Sequence, residues 1–147
     1  MSVEREVARG EPMTSATSVV EVRIAAEPTQ LAVMRAVVGD LAMRADYDVD
    51  SIADLRLAVD EACSSLIRLA APDATLVCRF RTTDDELSMT AEVASHDAFG
   101  PRKDTFSWRV LSALADDVST SVESGHAAGD GSNLVRIELT KGRTAHV

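Results

Sequence analysis

The first periodic segment alternates apolar and polar residues. In SVVEVRIAA, Val20, Val22 and Ile24 are separated by Glu21 and Arg23. A period of two residues is typical of a strand with one buried face. The pattern therefore predicts that the ordered part of the chain begins with a half-buried strand near residue 18.

Apolar residues then recur at the period of a helix. They stand at Leu31, Met34, Val38 and Leu41, shortly after Pro28. Spacings of three and four residues place them on one face of a helix, and proline favours the first turn. The pattern predicts an amphipathic helix that begins near Pro28.

A second helix is predicted in DVDSIADLRLAVDEACSSLIRLAAPDA. Asp50 or Ser51 is the expected N-cap, and Pro72 is expected to follow the helix end. Its apolar residues keep the helical spacing over five turns and form the predicted buried stripe: Ile52, Leu55, Val59, Ala62, Leu66 and Leu69.

The remaining segments predict a hairpin, a third helix and two more strands. TLVCRFR and LSMTAEVAS flank the polar turn TTDDE. The third helix is expected to be capped by Asp104, with Phe106, Val110, Leu111 and Leu114 facing inward. DVSTSVES and NLVRIELT are the last strands. The order β-α-α-β-β-α-β-β predicts an α+β two-layer sandwich, a mostly antiparallel sheet with helices on one face.

Length and hydropathy predict one cytoplasmic domain. The chain has 147 residues, and periodic segments cover 18–140. Residues 1–17 and 141–147 lack periodicity and are predicted to be flexible tails. No apolar run is long enough to cross a bilayer, and the N-terminus has no apolar signal segment.

Charge and cysteine usage narrow the classes of function. The net charge is -9, from 24 acidic and 15 basic residues, so direct binding to nucleic acid is not expected. The three histidines are scattered, which excludes a zinc motif. Cys63 and Cys78 are predicted to be buried thiols; a redox role is the less favoured alternative.

Polar residues on the second helix are the main candidates for chemistry. Glu61 and Ser65 are one turn apart, and Asp54 and Arg68 fall on the same side of the helix. The spacing alone favours a solvated face with an ordinary i, i+4 pair. Periodicity cannot separate that interpretation from a site.

The same helix resembles the N box of the GHKL ATPase superfamily, closest to its RsbW/SpoIIAB anti-sigma factors and their actinobacterial, UsfX-like members. The family motif Glu-Ala-x-x-Asn is matched by Glu61, Ala62, Cys63, Ser64 and Ser65. The resemblance covers residues 18–140 and implies the GHKL (Bergerat) form of the predicted sandwich.

This resemblance implies roles in ATP-dependent phosphorylation of a serine on an anti-anti-sigma protein. Glu61 would act as base or polariser in the transfer, and the Asn, replaced here by Ser65, would hold Mg²⁺ beside the ATP phosphates. In the family an Asp followed by glycines contacts adenine. The corresponding segment VASHDAFG offers Asp97 as the candidate, against the alternative of a polar residue in a turn.

The glycine-rich lid of the family is also altered. Here KDTFSWRVL carries Asp104, Thr105 and Ser107 where the family has glycines, and Arg102 and Lys103 could still offer positive charge to phosphates. The substitutions at Ser65, in the adenine segment and in the lid predict that ATP and Mg²⁺ handling is reduced or lost.

Protein binding is the function that would remain. The resemblance implies a homodimer that holds one sigma factor through the first helix, countered by anti-anti-sigma (STAS-type) antagonists, with Arg35 as a contact. The alternative for Arg35 is a solvated ion pair. We expect an anti-sigma factor for a sigma-F-like stress sigma factor. The alternatives are an active serine protein kinase that uses Glu61, or a module kept for dimerisation alone.

Overall fold

A computed structural model describes residues 17–127 and 131–143. A 3-10 turn at Pro28–Gln30 leads into the first helix. The elements are β1 Ser18–Ala25, α1 Leu31–Arg44, α2 Val49–Leu69, β2 Thr75–Thr82, β3 Glu86–Ser95, α3 Phe106–Leu114, β4 Asp117–Ala127 and β5 Ser132–Gly142. This order is the predicted one. Of the predicted tails, 1–16 and 144–147 lie outside the described residues.

The five strands form one antiparallel sheet in the order β1-β2-β3-β5-β4. Helices α1, α2 and α3 cover one face, and the other face is open. The α+β two-layer prediction is confirmed. None of the described helices is both long enough and apolar enough to cross a membrane.

The core lies between the sheet and the helices. Alternate residues of β2, β3 and β5 point toward α2, as the period of two residues requires. From α1, Met34, Val38 and Ala42 are buried, and the predicted stripe of α2 is buried or partly buried. The largest buried side chains of the sheet side are Phe80, Leu76, Leu87, Met89, Ile137 and Leu139.

Helix α2 begins earlier than the sequence pattern predicts. Its N-cap is Asp48, whose side chain accepts a hydrogen bond of 2.7 Å from the Ser51 backbone N–H. Asp50 and Ser51 therefore lie inside the first turn, and their prediction as N-cap is wrong. Asp48 and Asp50 are both suitable residue types, so composition alone does not distinguish them.

Helix α3 is also capped by a neighbour of the predicted residue. The Thr105 hydroxyl accepts a hydrogen bond of 3.2 Å from the Trp108 N–H, so the expected Asp104 cap is wrong. Phe106 is 78% exposed and does not face inward, whereas Leu111 is fully buried. At about 100° per residue, the five residues from Phe106 to Leu111 place the two side chains about 140° apart around the helix.

Strand β5 continues past residue 140, where the periodic segment ends. The Tyr47 hydroxyl donates to the Lys141 carbonyl at 2.7 Å, and the Gly142 N–H donates to Asp116 at 2.6 Å. Polar contacts rather than apolar periodicity hold these last residues in the sheet.

A row of alternating charges crosses the open face, with one member on each strand. Arg79 Nε lies 2.9 Å from Glu21, and Arg79 Nη1 lies 3.1 Å from Glu92. Arg136 lies 3.0 Å from Glu92 and 2.7 Å from Glu123. We call these five residues the charge ladder. Its ion pairs follow the strand order from β1 to β4.

The ladder changes the acidity of its members. Hydrogen bonds from Arg23 and Arg79 lower the pKa of Glu21, and bonds to Glu92 raise the pKa of Arg79. Glu123 and Glu92 likewise raise the pKa of Arg136. The charges of the open face therefore stabilise one another.

The two cysteines are free thiols inside the core, as predicted. Cys63 on α2 and Cys78 on β2 are both fully buried, with their Sγ atoms 3.7 Å apart. The hydrogen bond with Cys78, together with burial, raises the pKa of the Cys63 thiol. A protonated, inaccessible thiol reacts slowly with oxidants, so the structure favours a packing role.

Candidate functional site

The polar side of α2 faces α3 rather than solvent. Ser65 is 6% exposed and Glu61 is half-buried. The Ser107 hydroxyl, one residue into α3, donates a short hydrogen bond to Glu61 Oε2 and lies 3.2 Å from Ser65 Oγ. The solvated face favoured by periodicity is therefore wrong at Ser65.

The hydrogen bonds at this point run in one direction. Arg68 Nη2 donates to Ser65 Oγ at 3.2 Å. Because Ser107 gives its single hydroxyl proton to Glu61, Ser65 must give its own proton to Ser107. The order of donors is Arg68, Ser65, Ser107, and the Glu61 carboxylate is the final acceptor. We call these four residues the serine relay.

A cleft of about 230 Å³ opens beside the serine relay. Its wall combines one end of α2 with the segment that leads into α3. The lining residues are Ser65, Arg68, Leu69, Gly100, Pro101, Arg102, Thr105, Ser107 and Trp108.

The charges at the entrance of the cleft are already paired. Arg102 forms two hydrogen bonds with Asp104, at 2.6 and 3.1 Å. The contact lowers the pKa of Asp104 and raises that of Arg102. The Lys103 ammonium lies 5.8 Å from the centre of the Trp108 ring, a cation–π distance. These cations therefore already have partners within their own segment.

Asp97, the candidate adenine contact, does not line this cleft. It is exposed in the loop after β3, where its backbone N–H donates to Ser95 Oγ at 3.1 Å. Its carbonyl accepts from the Asn133 amide at 2.7 Å. These bonds are those of a turn residue, which is the alternative that the sequence left open for Asp97.

Arg35, the candidate partner contact, lies on a different surface. It is on α1, and its guanidinium forms a short ion pair with Asp60 of α2. The Arg35 side chain is 44% exposed. It remains accessible from solvent, and the solvated ion pair that the sequence left open is present.

The residues of the cleft match a nucleotide and Mg²⁺ only in part. Glu61, which does not line the cleft and contacts it only through Ser107, supplies one carboxylate. Ser65 and Ser107, in the lining, supply hydroxyls, and all three are ligand types that Mg²⁺ accepts. The Thr105 hydroxyl already occupies an amide of the α3 N-terminus, where a lid would present bare N–H groups to phosphates. Among the described residues, no three His, Cys, Asp or Glu side chains form a group that could hold a metal ion.

The sequence does not indicate the roles of Ser107 and Arg68 in the serine relay. Its patterns predict only that Ser107 fills a glycine position and that Arg68 belongs to a polar face. Their contact depends on how α3 packs on α2, across 42 residues of sequence between Ser65 and Ser107. The short pattern of either helix carries no signal for that distance.

Comparisons with known proteins agree with this fold. The family model for the histidine kinase-like ATPase domain matches residues 24–139. The chain is 44% identical over 128 residues to the anti-sigma-F factor RsbW of Mycobacterium tuberculosis, covering 86% of this chain and 74% of that protein. It is 31% identical over 80 residues to the serine-protein kinase RsbW of Bacillus velezensis, covering 52% and 50%.

A solved structure shows the same fold. The crystal structure of the RsbU and RsbW domains of a Mycobacterium tuberculosis protein superposes with a TM-score of 0.60 at 18% identity. The match covers 88% of this chain and 34% of that longer one. The chain therefore belongs to the histidine kinase-like ATPase family, in its RsbW anti-sigma branch.

Proposed function

We propose that this protein is an anti-sigma factor that sequesters a sigma-F-like stress sigma factor and is released by an anti-anti-sigma antagonist. The observation that carries the proposal is 44% identity, over 86% of the chain, to a protein named anti-sigma-F factor RsbW. An exposed Arg35 on α1 supports a protein contact on the helical layer. The proposal includes a cytoplasmic homodimer.

We further propose that nucleotide chemistry is reduced in this chain. Three features support it: Ser65 stands at the Asn position, Ser107 hydrogen bonds to Glu61, and Thr105 caps the helix that would face phosphates. A base must have a free lone pair directed at the proton that it accepts. In the serine relay, Ser107 occupies one lone pair of Glu61 Oε2, which reduces the acceptor capacity of the carboxylate and leaves Oε1 as the oxygen for a base.

An active serine protein kinase is the second candidate. The retained Glu61 favours it, together with the 31% identity to a protein named serine-protein kinase RsbW. The reaction would transfer the ATP phosphoryl group to a serine hydroxyl of the antagonist, with Glu61 near that hydroxyl. When bound, ATP with Mg²⁺ would supply the phosphoryl group and neutralise its charge.

Calorimetry separates the two functions. The protein is titrated first with ATP and Mg²⁺, then with sigma-F of Mycobacterium tuberculosis and the alternative sigma factors of its own genome. We expect a sigma factor to bind at submicromolar Kd, on the order of -8 kcal/mol or stronger, whether or not ATP is present. A chain that binds none of these sigma factors is not an anti-sigma factor.

Glu61→Gln tests the kinase alternative, and Glu138→Gln on the open face is its matched control, because it also removes one carboxylate. Phosphate transfer to a STAS-type antagonist is followed with radiolabelled ATP. We expect little or no transfer from the unmodified protein. Transfer that Glu61→Gln abolishes and Glu138→Gln leaves intact would establish the kinase instead.

A further inference from the structure

Gly39 lies where the backbone does not require a glycine. It is in the interior of α1 and has no positive φ. Glycine in a helix interior lowers stability relative to alanine, because it loses more conformational freedom on folding. A residue that lowers stability in this way is expected where it serves a local function, and functional sites are the usual place for such residues.

The space above Gly39 is occupied by Arg56 of α2. A Cβ atom built on Gly39 would lie 2.5 Å from Arg56 Nε and 2.7 Å from Nη2. The three nearest heavy atoms all belong to this guanidinium, not to the backbone of α2. The missing side chain at Gly39 thus leaves space for the Arg56 guanidinium, and we call this space the Gly39 seat. Arg56 is otherwise exposed.

Arg56 has no acidic partner among the described residues. The acids close to it on the two helices are used elsewhere: Asp60 pairs with Arg35, and Asp40 pairs with Arg44 at 2.8 Å. The Arg56 guanidinium therefore keeps an uncompensated positive charge on a chain with a net charge of -9. A planar guanidinium presents paired donors that match a carboxylate.

Arg56 and Arg35 belong to one surface. Arg35 and Gly39 are one turn apart on α1, and they contact Asp60 and Arg56, which are one turn apart on α2. Next to Arg56 in sequence, Leu57 is 57% exposed and adds an apolar group. We call this surface, formed by Arg35, Gly39, Arg56, Leu57 and Asp60, the α1–α2 face.

We infer that the α1–α2 face is a docking site for an acidic segment of the sigma factor, with Arg56 on its Gly39 seat as the residue that binds a carboxylate. This inference rests on the proposed anti-sigma function and specifies the surface and the chemistry of the contact. Charge complementarity selects the occupant, because the uncompensated positive charge lies on an otherwise acidic protein. A nearby apolar side chain lets the contact exclude water.

Four variants test the assignment against the sigma factor that the unmodified protein binds in the calorimetric panel. Arg56→Ala is expected to weaken binding about tenfold or more, because arginine anchors are among the interface residues that cost most when truncated. Arg56→Lys is expected to restore part of the affinity, since it keeps the charge without the planar fork. Arg81→Ala, on the open face, removes the same charge and is expected to bind within about twofold of the unmodified protein.

Gly39→Ala gives the sharpest result. The new methyl group displaces the flexible guanidinium from its seat, while alanine strengthens the helix. We expect a protein that unfolds at a higher urea concentration and yet binds the sigma factor severalfold more weakly. Loss of binding by general destabilisation would give the opposite urea shift.

The outcomes separate this inference from the proposed function. If the unmodified protein binds a sigma factor and Arg56→Ala binds equally well, the docking site is wrong and the anti-sigma function stands. If the unmodified protein binds none, both fall. If the Arg56 and Gly39 variants change only the monomer–dimer equilibrium, the α1–α2 face is an interface between copies, and the inference is overturned.

Discussion

Tyr47 is the only tyrosine of the chain, which allows its ionisation to be followed without interference from another phenol. The side chain is 7% exposed, and its hydroxyl donates to the Lys141 carbonyl on β5. Burial, as the largest cause, raises the pKa of Tyr47 to about 12. The hydrogen bond from the Tyr47 hydroxyl links the segment after α1 to β5, and the folded protein keeps the phenol protonated to higher pH.

The raised pKa predicts a loss of stability at high pH. The unfolded chain ionises Tyr47 near pH 10 and the folded chain near pH 12, so the contribution is complete below about pH 10. It is lost as the pH rises from about 10 to about 12. The ultraviolet absorbance of tyrosinate is expected to titrate near pH 12 in the native protein and near pH 10 in urea.

Tyr47→Phe is the control for this titration. It removes the hydrogen bond to Lys141, which costs about 1 kcal/mol at neutral pH. Because it has no phenol to ionise, Tyr47→Phe is also expected to lose less stability at alkaline pH than the unmodified protein. A native titration midpoint near pH 10 would show that Tyr47 is solvated and that the bond is absent.

At the scale of elements, helix α3 depends on its cap. Thr105→Ala removes the acceptor of the Trp108 N–H and is expected to lower the free energy of unfolding by about 1 kcal/mol. Asp104→Ala is the matched control next to it. It breaks only an exposed pair with Arg102 and is expected to lower the free energy of unfolding by less than Thr105→Ala does. Urea unfolding of both variants measures the difference, and a larger loss for Asp104→Ala would restore Asp104 as the cap.

The elements themselves could be predicted because each is set by a local period. The stripe of α2 and the alternation of β1 are visible within a few turns or residues, and their order implies the sandwich. The helix caps could not be predicted, because Asp48, Asp50, Asp104 and Thr105 are all acceptable cap residues and the choice depends on backbone direction.

Some residues of the candidate site could be predicted from the sequence, but the contacts between them could not. The resemblance identified Glu61 and Ser65, but the contact with Ser107 arises where two helices distant in sequence meet. Likewise, the seat of Arg56 on Gly39 joins α1 to α2 and has no signature in either helix alone. Both contacts depend on how the helices pack against each other, and the hydrophobic period of a single helix does not specify that packing.

At the scale of the molecule, the homodimer that we propose needs a surface, and the groove between β1 and α1 offers one. β1 is an edge strand, whose outer backbone groups can pair with another chain. The groove is lined mainly by apolar residues and carries one acid and one base that a two-fold copy can exchange. Its residues are Val20, Ala36, Val37, Asp40, Leu41 and Arg44.

Ala36→Glu tests this surface, because Ala36 is exposed and a charge there does not disturb the core. We expect sedimentation equilibrium to give twice the chain mass of 15.7 kDa for the unmodified protein and the single mass for Ala36→Glu. Ala113→Glu, at an exposed position of α3, is the matched control and should leave the dimer intact. Dimers that survive Ala36→Glu would place the interface elsewhere.

The charge ladder constrains which substitutions this sheet can accept during evolution. Each interior member neutralises two neighbours on adjoining strands, so a single substitution at Arg79 leaves Glu21 and Glu92 without their shared counter-charge. A second substitution on the neighbouring strand can repair that loss. Among relatives, residues at ladder positions should therefore vary in pairs, and each pair should join neighbouring strands. Sequence covariation on the open face is then expected to reveal which strands are adjacent in the sheet.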